Sequence, residues 1–276
     1  MQDKRNLFRI LFIGDISGRY GRRFLNKALP TIKIKYNPGL VIANGENSAG
    51  GLGITSKTAK EIFEAGVDVI TSGNHVWDKK EAIELLKEDR RVIRPINYPE
   101  SVPGKGYYIF RARDNNLTEV MIINLQGRVF MEPVVDNPFL SIDRFLNQVQ
   151  QKIIFIDFHA EATAEKQAMG FYLDGRVSAV LGTHTHVQTA DLRILEKGTA
   201  YQSDVGMTGS LDSVIGMKRD PVIRKFLTGI NQKFEVDKKN IIMDMAILDF
   251  DKASGKAVHV NPLRLFESRF DEQLEF

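Results

Sequence analysis

Four of the five histidines in this 276-residue sequence follow short apolar segments that have the length and composition of buried strands. The four are His75, His159, His184 and His186, whereas His259 lies inside a segment with the pattern of an edge strand. A single histidine at such a position is more often structural than functional. Because the carboxyl ends of parallel strands meet at one edge of an α/β sheet, residues that are distant in the sequence can converge there. We therefore expect the four histidines to share a site.

Carboxylate and amide side chains occupy equivalent positions after other predicted strands. They are Asp15, Glu46, Asn47 and Asn74. Taken singly, each of these segments is also explained by a capped or hydrogen-bonded turn. Taken together with the imidazoles, they offer more oxygen and nitrogen donors than one tetrahedral site can use. Such a mixed set suits two divalent metal ions that share a carboxylate, and paired metals about 3.5–4 Å apart are typical of in-line attack on phosphorus.

The segment 182–186, Gly-Thr-His-Thr-His, contains two histidines at positions i and i+2. An extended backbone would direct both imidazoles to the same side of the chain. The sequence therefore predicts that both rings enter the site from the same side. The complete set of predicted metal ligands is Asp15, Glu46, Asn47, Asn74, His159, His184 and His186.

The elements that must position these residues follow from hydrophobic periodicity. Short apolar segments alternate with longer amphipathic ones, which indicates an α/β sheet protein. Early strands are predicted at 8–13, 40–43 and 67–70, and helices at 22–36, 56–65 and 79–88. Later strands are predicted at 107–112, 119–125, 153–158, 178–181, 192–195, 241–250 and 256–263, with a turn at 114–116. No internal repeat or linker interrupts the pattern, so residues 1–276 are predicted to form one domain.

Composition excludes several classes of protein. The absence of cysteine rules out disulfides, thiolate zinc sites and cysteine nucleophiles. The net charge of +3 is close to balance, which disfavours long nucleic acid or an anionic membrane as a partner. No apolar segment has the roughly 18 residues that a bilayer span requires, and Arg9 interrupts the short apolar segment near the N-terminus. We expect a soluble cytoplasmic protein.

Three rival enzyme motifs are absent. A dinucleotide-binding fingerprint after the first predicted strand would need glycine where Ile16 stands, and a P-loop would need glycine where Ser56 precedes Lys57. The nucleophile elbow of serine hydrolases, G-x-S-x-G, does not occur either.

The site motifs occur in the order found in calcineurin-like metallophosphoesterases. Four longer segments resemble the YmdB-like branch of that superfamily: 44–47, 73–78, 182–191 and 199–209. The resemblance extends from about Phe8 to Leu265. It departs from the wider superfamily at Ser17, where a histidine is usual, and at Glu46 and Asn47, where an aspartate motif is usual; within the branch these replacements are the norm. The resemblance implies a two-sheet β-sandwich flanked by helices in four α/β/β/α layers.

The resemblance also implies roles for individual residues. One metal is expected on Asp15, Glu46, Asn47 and His186, and a second on Glu46, Asn74, His159 and His184, so that Glu46 bridges them. The metals are expected to be iron or manganese, with magnesium or zinc as alternatives. His75 is expected to be the general acid. Relatives act on 2′,3′-cyclic nucleotides, and they often form homo-oligomers.

Our hypothesis is a phosphodiesterase that converts small cyclic nucleotides to nucleoside monophosphates. A hydroxide bridging the two metals would attack phosphorus, and His75 would protonate the departing oxygen. His75 could instead support Asn74. Asp157 and Asp204 could each bind the ring of a metal-bound histidine. Trp77 could stack on a base of the substrate or pack in the core. Two other functions stay open: a nuclease or phosphomonoesterase on the same metals, and a regulatory, RNA-associated metalloprotein with weak hydrolysis.

Overall fold

Two β-sheets form the centre of the molecule, in a computed structural model that describes residues 6–114 and 117–273. The first sheet contains β1 (Leu7–Ile13), β2 (Asp15–Ile16), β3 (Leu40–Asn44), β4 (Val69–Thr71), β11 (Met207–Ser210), β12 (Ile241–Asp251) and β13 (Ala257–Phe266). Its strand order is β2-β11-β12-β1-β3-β4, and β13 pairs with β12. Because β13 pairs with no other described strand, it is an edge strand as predicted, and the side chain of His259 on it is 63% exposed.

The second sheet has the order β5-β6-β7-β8-β10-β9. Its strands are β5 (Tyr107–Arg111), β6 (Glu119–Gln126), β7 (Ile153–His159), β8 (Ala179–Thr183), β9 (Arg193–Ile194) and β10 (Ala200–Gln202). The neighbours β6, β7, β8 and β10 run parallel. In the first sheet β1, β3 and β4 are likewise parallel. Each sheet therefore gathers several strand carboxyl ends along one edge.

Helices flank the two sheets, and all but the helix at 219–228 contribute to the cores on the outer sheet faces. They are α1 (Gly18–Tyr36), α2 (Ser56–Ala65), α3 (Glu81–Glu88), α4 (Pro138–Leu146), α5 (Thr163–Tyr172), α6 (Arg219–Thr228) and α7 (Phe270–Gln273). The ends of α2 agree with the sequence: Thr55 and Thr58 form a capping box, and Gly66 ends the helix with φ 110°. None of the helices in the described residues is long and apolar enough to cross a membrane.

The layers arise because successive side chains of a strand point to opposite faces of its sheet. Ile10 and Phe12 point into the core between the sheets, where Phe12 packs edge-on against Phe155 of β7 at 4.9 Å between ring centroids. Leu11 and Ile13 point to the other face of the first sheet and pack with α1, α2 and α3. The outer face of the second sheet packs against α4 and α5. The predicted α/β/β/α sandwich is confirmed.

Most predicted elements are present in the structure, but their ends lie up to a few residues from the predicted ones. Helix α1 begins at Gly18, four residues before the predicted start, because Gly18 and Gly21 are buried without contributing an apolar signal. A side chain at Gly21 would lie 2.2 Å from the carbonyl oxygen of Thr208, so this turn needs glycine to approach β11. The short strands β2, β10 and β11 and the helices α4 to α7 were not predicted. Part of the predicted turn at 114–116 lies outside the described residues.

Candidate metal centre

All seven predicted ligands lie at the edge where strand carboxyl ends from both sheets meet. The first sheet contributes Asp15, Glu46, Asn47 and Asn74, which lie on β2 or after β3 and β4. The second sheet contributes His159, which ends β7, and His184 and His186, which follow β8. Asp15, Glu46 and His159 are completely buried. Ionisable side chains at this depth need a partner of opposite charge or a metal ion.

One group of donors surrounds the imidazole of His159. Its Nε2 atom lies 3.0 Å from Glu46 Oε1, 3.1 Å from Asn74 Oδ1 and 3.0 Å from His184 Nδ1. One ligand atom from each of Glu46, His159 and His184 can be chosen so that all three lie within 4.8 Å of one another. A carboxylate oxygen, an amide oxygen and two imidazole nitrogens thus converge, and this donor set suits a first-row transition metal.

A second group of donors adjoins the first. His186 Nε2 lies 3.1 Å from Asn47 Nδ2 and 3.7 Å from Asp15 Oδ1. The Asn47 amide nitrogen also donates to Asp15 Oδ1 and Glu46 Oε1, each at 3.4 Å. Glu46 Oε1 therefore contacts members of both groups. Coordination of a metal by Asn47 would require its amide to rotate by half a turn, so that Oδ1 faces the site.

The backbone of the His-Thr-His turn is not extended, and that prediction was wrong. Strand β8 ends at Thr183, and both His184 (φ 101°) and His186 (φ 64°) adopt positive φ values. Such conformations cost about 1–3 kcal/mol each for residues other than glycine. The two imidazoles consequently face different groups, His184 towards His159 and His186 towards Asp15 and Asn47. Polar contacts hold this turn, including a hydrogen bond from the His184 N–H to Asp15 Oδ2 at 3.1 Å.

The electrostatics of the centre reflect paired carboxylates and imidazoles. Burial lowers the pKa of His186, but the hydrogen bond and charge of Asp15 outweigh burial and raise it to about 9. Burial likewise lowers the pKa of His159, and the carboxylate of Glu46 reverses the effect. For His184, burial and the neighbouring charge of His159 lower the pKa to about 2. Burial would raise the pKa of Asp15, but His186 outweighs it and leaves that pKa below its ordinary value.

These pKa shifts indicate that the centre favours positive charge. The buried carboxylates of Glu46 and Asp15 raise the pKa values of His159 and His186, and so favour positive charge at these imidazoles. A divalent cation provides positive charge and binds neutral imidazole, so metal binding would displace protons from these rings. Carboxylate, amide and imidazole donors at these separations fit metal ions of the manganese, iron or zinc type.

Residues other than the seven predicted ligands orient the rings, and Asp157, predicted to support a histidine, is one of them. The Nδ1 atom of His159 lies 2.8 Å from the hydroxyl of Thr183, which donates to Asp157 Oδ1 at 2.6 Å. This chain keeps Nε2 of His159 directed at the ligand cluster. His186 Nδ1 lies 2.8 Å from the carbonyl oxygen of Ile215, which likewise leaves Nε2 for the cluster. The sequence could not predict the contact of Ile215, because it is made by a backbone carbonyl, which every residue has. Thr183, in contrast, belongs to the Gly-Thr-His-Thr-His motif.

His75 lies at the rim of the centre. Its N–H donates to Glu46 Oε2 at 3.1 Å, while ring atom Nδ1 lies 2.9 Å from Asp78 Oδ2 and the side chain is 31% exposed. Asp78 was not predicted as a partner, although its spacing of three residues from His75 was a usable signal. Trp77 packs edge-on against Tyr98 at 5.8 Å and against the first-sheet core, which favours the packing interpretation.

Comparison with known proteins gives consistent matches over nearly the whole chain. A family model described as YmdB-like protein matches residues 11–263. A protein of Bacillus subtilis (strain 168) named 2′,3′-cyclic-nucleotide 2′-phosphodiesterase is 48% identical over 254 residues, which cover 91% of this chain and 95% of that protein.

Two crystal structures share the fold at high sequence identity. A hypothetical protein from Thermus thermophilus is 43% identical with a TM-score of 0.88, and the match covers 94% of this chain and 100% of that chain. A protein from Mycoplasma pneumoniae, described as a novel phosphatase, is 35% identical with a TM-score of 0.90, and the match covers 97% of each chain.

Proposed function

Because this chain belongs to the YmdB-like family of metallophosphoesterases, we propose that it hydrolyses 2′,3′-cyclic nucleotides to nucleoside monophosphates with two metal ions. The family implies dependence on divalent metal. The observation that most supports a two-metal centre is the position of Glu46, whose Oε1 lies 3.0 Å from His159 Nε2 and 3.4 Å from Asn47 Nδ2. One carboxylate thus adjoins both groups of donors, as a shared ligand must.

The donors divide between two proposed metal positions. Asp15, Asn47 and His186 would hold one ion, Asn74, His159 and His184 would hold the other, and Glu46 would serve both. Bound metals would activate water for attack on phosphorus and offset the negative charge of the phosphate oxygens. The preference for iron or manganese stays a prediction, which metal analysis of the purified protein tests. Homo-oligomerisation also stays a prediction, and light scattering measures it.

His75 is the proposed general acid. Its imidazole is partly exposed at the rim, and the contact with Asp78 at Nδ1 leaves Nε2 free to face a substrate. The Bacillus subtilis relative is named a 2′-phosphodiesterase, and we propose the same bond for this chain. The bond between phosphorus and O2′ would break, His75 would give its proton to O2′, and the product would be a nucleoside 3′-monophosphate. Proton donation of this kind contributes about 10²–10⁴-fold in rate.

The first experiment is hydrolysis of 2′,3′-cyclic AMP by metal-stripped protein, with Mn²⁺ then added back. We expect turnover only with metal and 3′-AMP as the product on chromatography. The variant Asp15→Ala, which removes a proposed ligand, should bind less Mn²⁺ and lose turnover, whereas Lys252→Met at the opposite edge of the sandwich should behave as the parent. Metal-loaded protein that leaves 2′,3′-cyclic AMP intact but cleaves a phosphomonoester or an oligonucleotide would contradict the proposal.

A further inference from the structure

The two histidines of the His-Thr-His turn need support from outside the turn. Both adopt positive φ values, which residues with side chains rarely adopt unless their surroundings impose them. An unsupported turn at this position would relax towards ordinary backbone conformations and direct the imidazoles away from the centre. The structure around the turn must therefore contain groups that bind its backbone directly.

A buried lysine on α5 supplies one of these groups. Lys166 is 2% exposed, and its ammonium donates to the carbonyl oxygen of Thr183 at 2.8 Å and to Asp204 Oδ2 at 2.7 Å. Thr183 is the residue immediately before the turn. Lysine is almost never this deeply buried without a partner of opposite charge, so the position of its ammonium is set by Asp204 on one side and by this carbonyl on the other.

Asp204, the partner of Lys166, binds the backbone of the turn itself. Its Oδ2 atom accepts the N–H of Thr185 at 3.0 Å, between the two histidines, and its Oδ1 atom accepts the N–H of Gly206 at 2.9 Å. The side chain is 1% exposed. Strand β8 also packs closely here, since a side chain at Gly182 would lie 1.8 Å from the carbonyl oxygen of Ser203. The ion pair thus binds the backbone on both sides of His184.

Stability alone does not account for such a pair. The desolvation of two buried charges offsets much of their attraction, and apolar replacements of buried ion pairs are often neutral or stabilising. Besides bonding each other, Lys166 and Asp204 hydrogen-bond the backbone of Thr183 and Thr185, the two residues that flank His184.

We propose that Lys166 and Asp204 are positioning residues that hold the His184–His186 turn in its metal-binding conformation before any metal arrives. The proposal rests on the metal ligands of the proposed function. Both side chains act through their hydrogen bonds to the backbone of Thr183 and Thr185. The turn would therefore bind metal without first being ordered, and removal of the pair would weaken metal binding more than folding.

The test uses the double variant Lys166→Met/Asp204→Asn, which removes the ion pair without changing net charge. Mn²⁺ binding to metal-stripped protein is measured by electron paramagnetic resonance titration, and thermal unfolding is followed by circular dichroism in the absence of metal. We expect cooperative unfolding near the parent temperature and Mn²⁺ affinity lower by about 10–100-fold, the usual effect of losing support for metal ligands. Lys252→Met, which breaks the partly buried pair with Asp114 at 2.8 Å, is the matched control and should bind Mn²⁺ as the parent does.

A second variant decides the matter if the double variant does not fold. Asp204→Glu keeps the charge but moves the carboxylate relative to the Thr185 N–H, so it should fold and still bind Mn²⁺ more weakly. Parent-like Mn²⁺ affinity in either folded variant would overturn the proposal. The Mn²⁺ titrations do not depend on turnover. A parent protein that fails to hydrolyse 2′,3′-cyclic AMP would refute the proposed function. The comparison of Mn²⁺ affinities would still test the role of Lys166 and Asp204.

Discussion

At the scale of single residues, the centre depends on which ring nitrogen each histidine presents. The hydroxyl of Thr183 and the carbonyl of Ile215 occupy Nδ1 of His159 and His186, which leaves Nε2 of both rings facing the carboxylates. His184 is arranged the other way, with Nδ1 towards His159 and Nε2 at 3.1 Å from Glu161. Residue type alone therefore does not specify the donor atoms, because the partner of the opposite nitrogen selects them.

The first residue-scale prediction concerns His75. We expect His75→Ala to lower kcat about 10²–10⁴-fold, because proton donation to the leaving oxygen is lost. Mn²⁺ affinity should not change, because the ring faces Asp78 rather than the ligand cluster. Steady-state kinetics with 2′,3′-cyclic AMP and a parallel Mn²⁺ titration give the two values. Asp78→Asn is the matched variant and should have the smaller effect on kcat. Loss of metal from His75→Ala would refute the general-acid role and favour support of Asn74.

At the scale of elements, the site depends on how closely the segments after the strands approach each other. Gly73 follows β4 in the first sheet, and a side chain there would lie 2.2 Å from the imidazole carbon Cδ2 of His159 on β7. The backbone of one sheet thus touches a ring from the other. Asn74 is the next residue, and this close approach brings its Oδ1 to 3.1 Å from His159 Nε2.

The variant Gly73→Ala tests the close contact between Gly73 and the ring of His159. The added methyl group must displace either the segment carrying Asn74 or the ring of His159, so we expect a loss of about 1–3 kcal/mol in the free energy of unfolding. Mn²⁺ affinity should fall at least about tenfold, because ligand positions shift. Denaturant unfolding and Mn²⁺ titration provide both values. Gly229→Ala, where a side chain meets nothing within 4 Å, is the control for Mn²⁺ affinity alone, because its φ of 70° makes alanine destabilising there. Its Mn²⁺ affinity should match the parent. Parent-like behaviour of Gly73→Ala would show that the contact can relax freely.

At the scale of the whole molecule, the sandwich joins two half-sites. The carboxylates and amides come from the first sheet and the three imidazoles from the second. Neither sheet alone holds all of the predicted donors, so the relative position of the sheets determines whether these donors meet. The core between them, in which Phe12 and Phe155 meet, fixes that position. The prediction that residues 1–276 form one domain belongs at this scale.

Phe12→Ala measures the contribution of this core. Phe12 is completely buried, so its truncation should cost about 3–5 kcal/mol of unfolding free energy. One domain implies a single transition, with the fluorescence of Trp77, the only tryptophan, coinciding with circular dichroism in guanidinium chloride. Phe226→Ala, at a side chain that is 83% exposed, should change stability by no more than about 0.5 kcal/mol. Two separate transitions would instead indicate two domains.

Local patterns in the sequence determined much of this protein. Buried strands such as β1, β3 and β7 were located within one or two residues, because apolar runs of this length identify them without knowledge of their neighbours. The residue types at the strand ends were also sufficient to select seven side chains that the structure brings together at one edge, and their role as metal ligands stays a prediction. The short strands β2, β10 and β11, which have two to four residues, carry too little periodic signal and were missed. Strands β4 and β9 are as short, but each lies inside or next to a longer apolar segment that predicted it.

Only the tertiary structure decided the conformation and support of the donors. The positive φ values of His184 and His186 contradict the extended backbone that their spacing suggested. Asp15 and Asp204 bind the backbone of that turn from 169 and 19 residues away in the sequence. Periodicity records whether a residue is buried, but it carries no information about which distant residue it meets. The contact of Asp15 exists only once both sheets have packed, and that of Asp204 only once β8 and β10 have paired. Such contacts determine which atoms of the predicted residues face the centre.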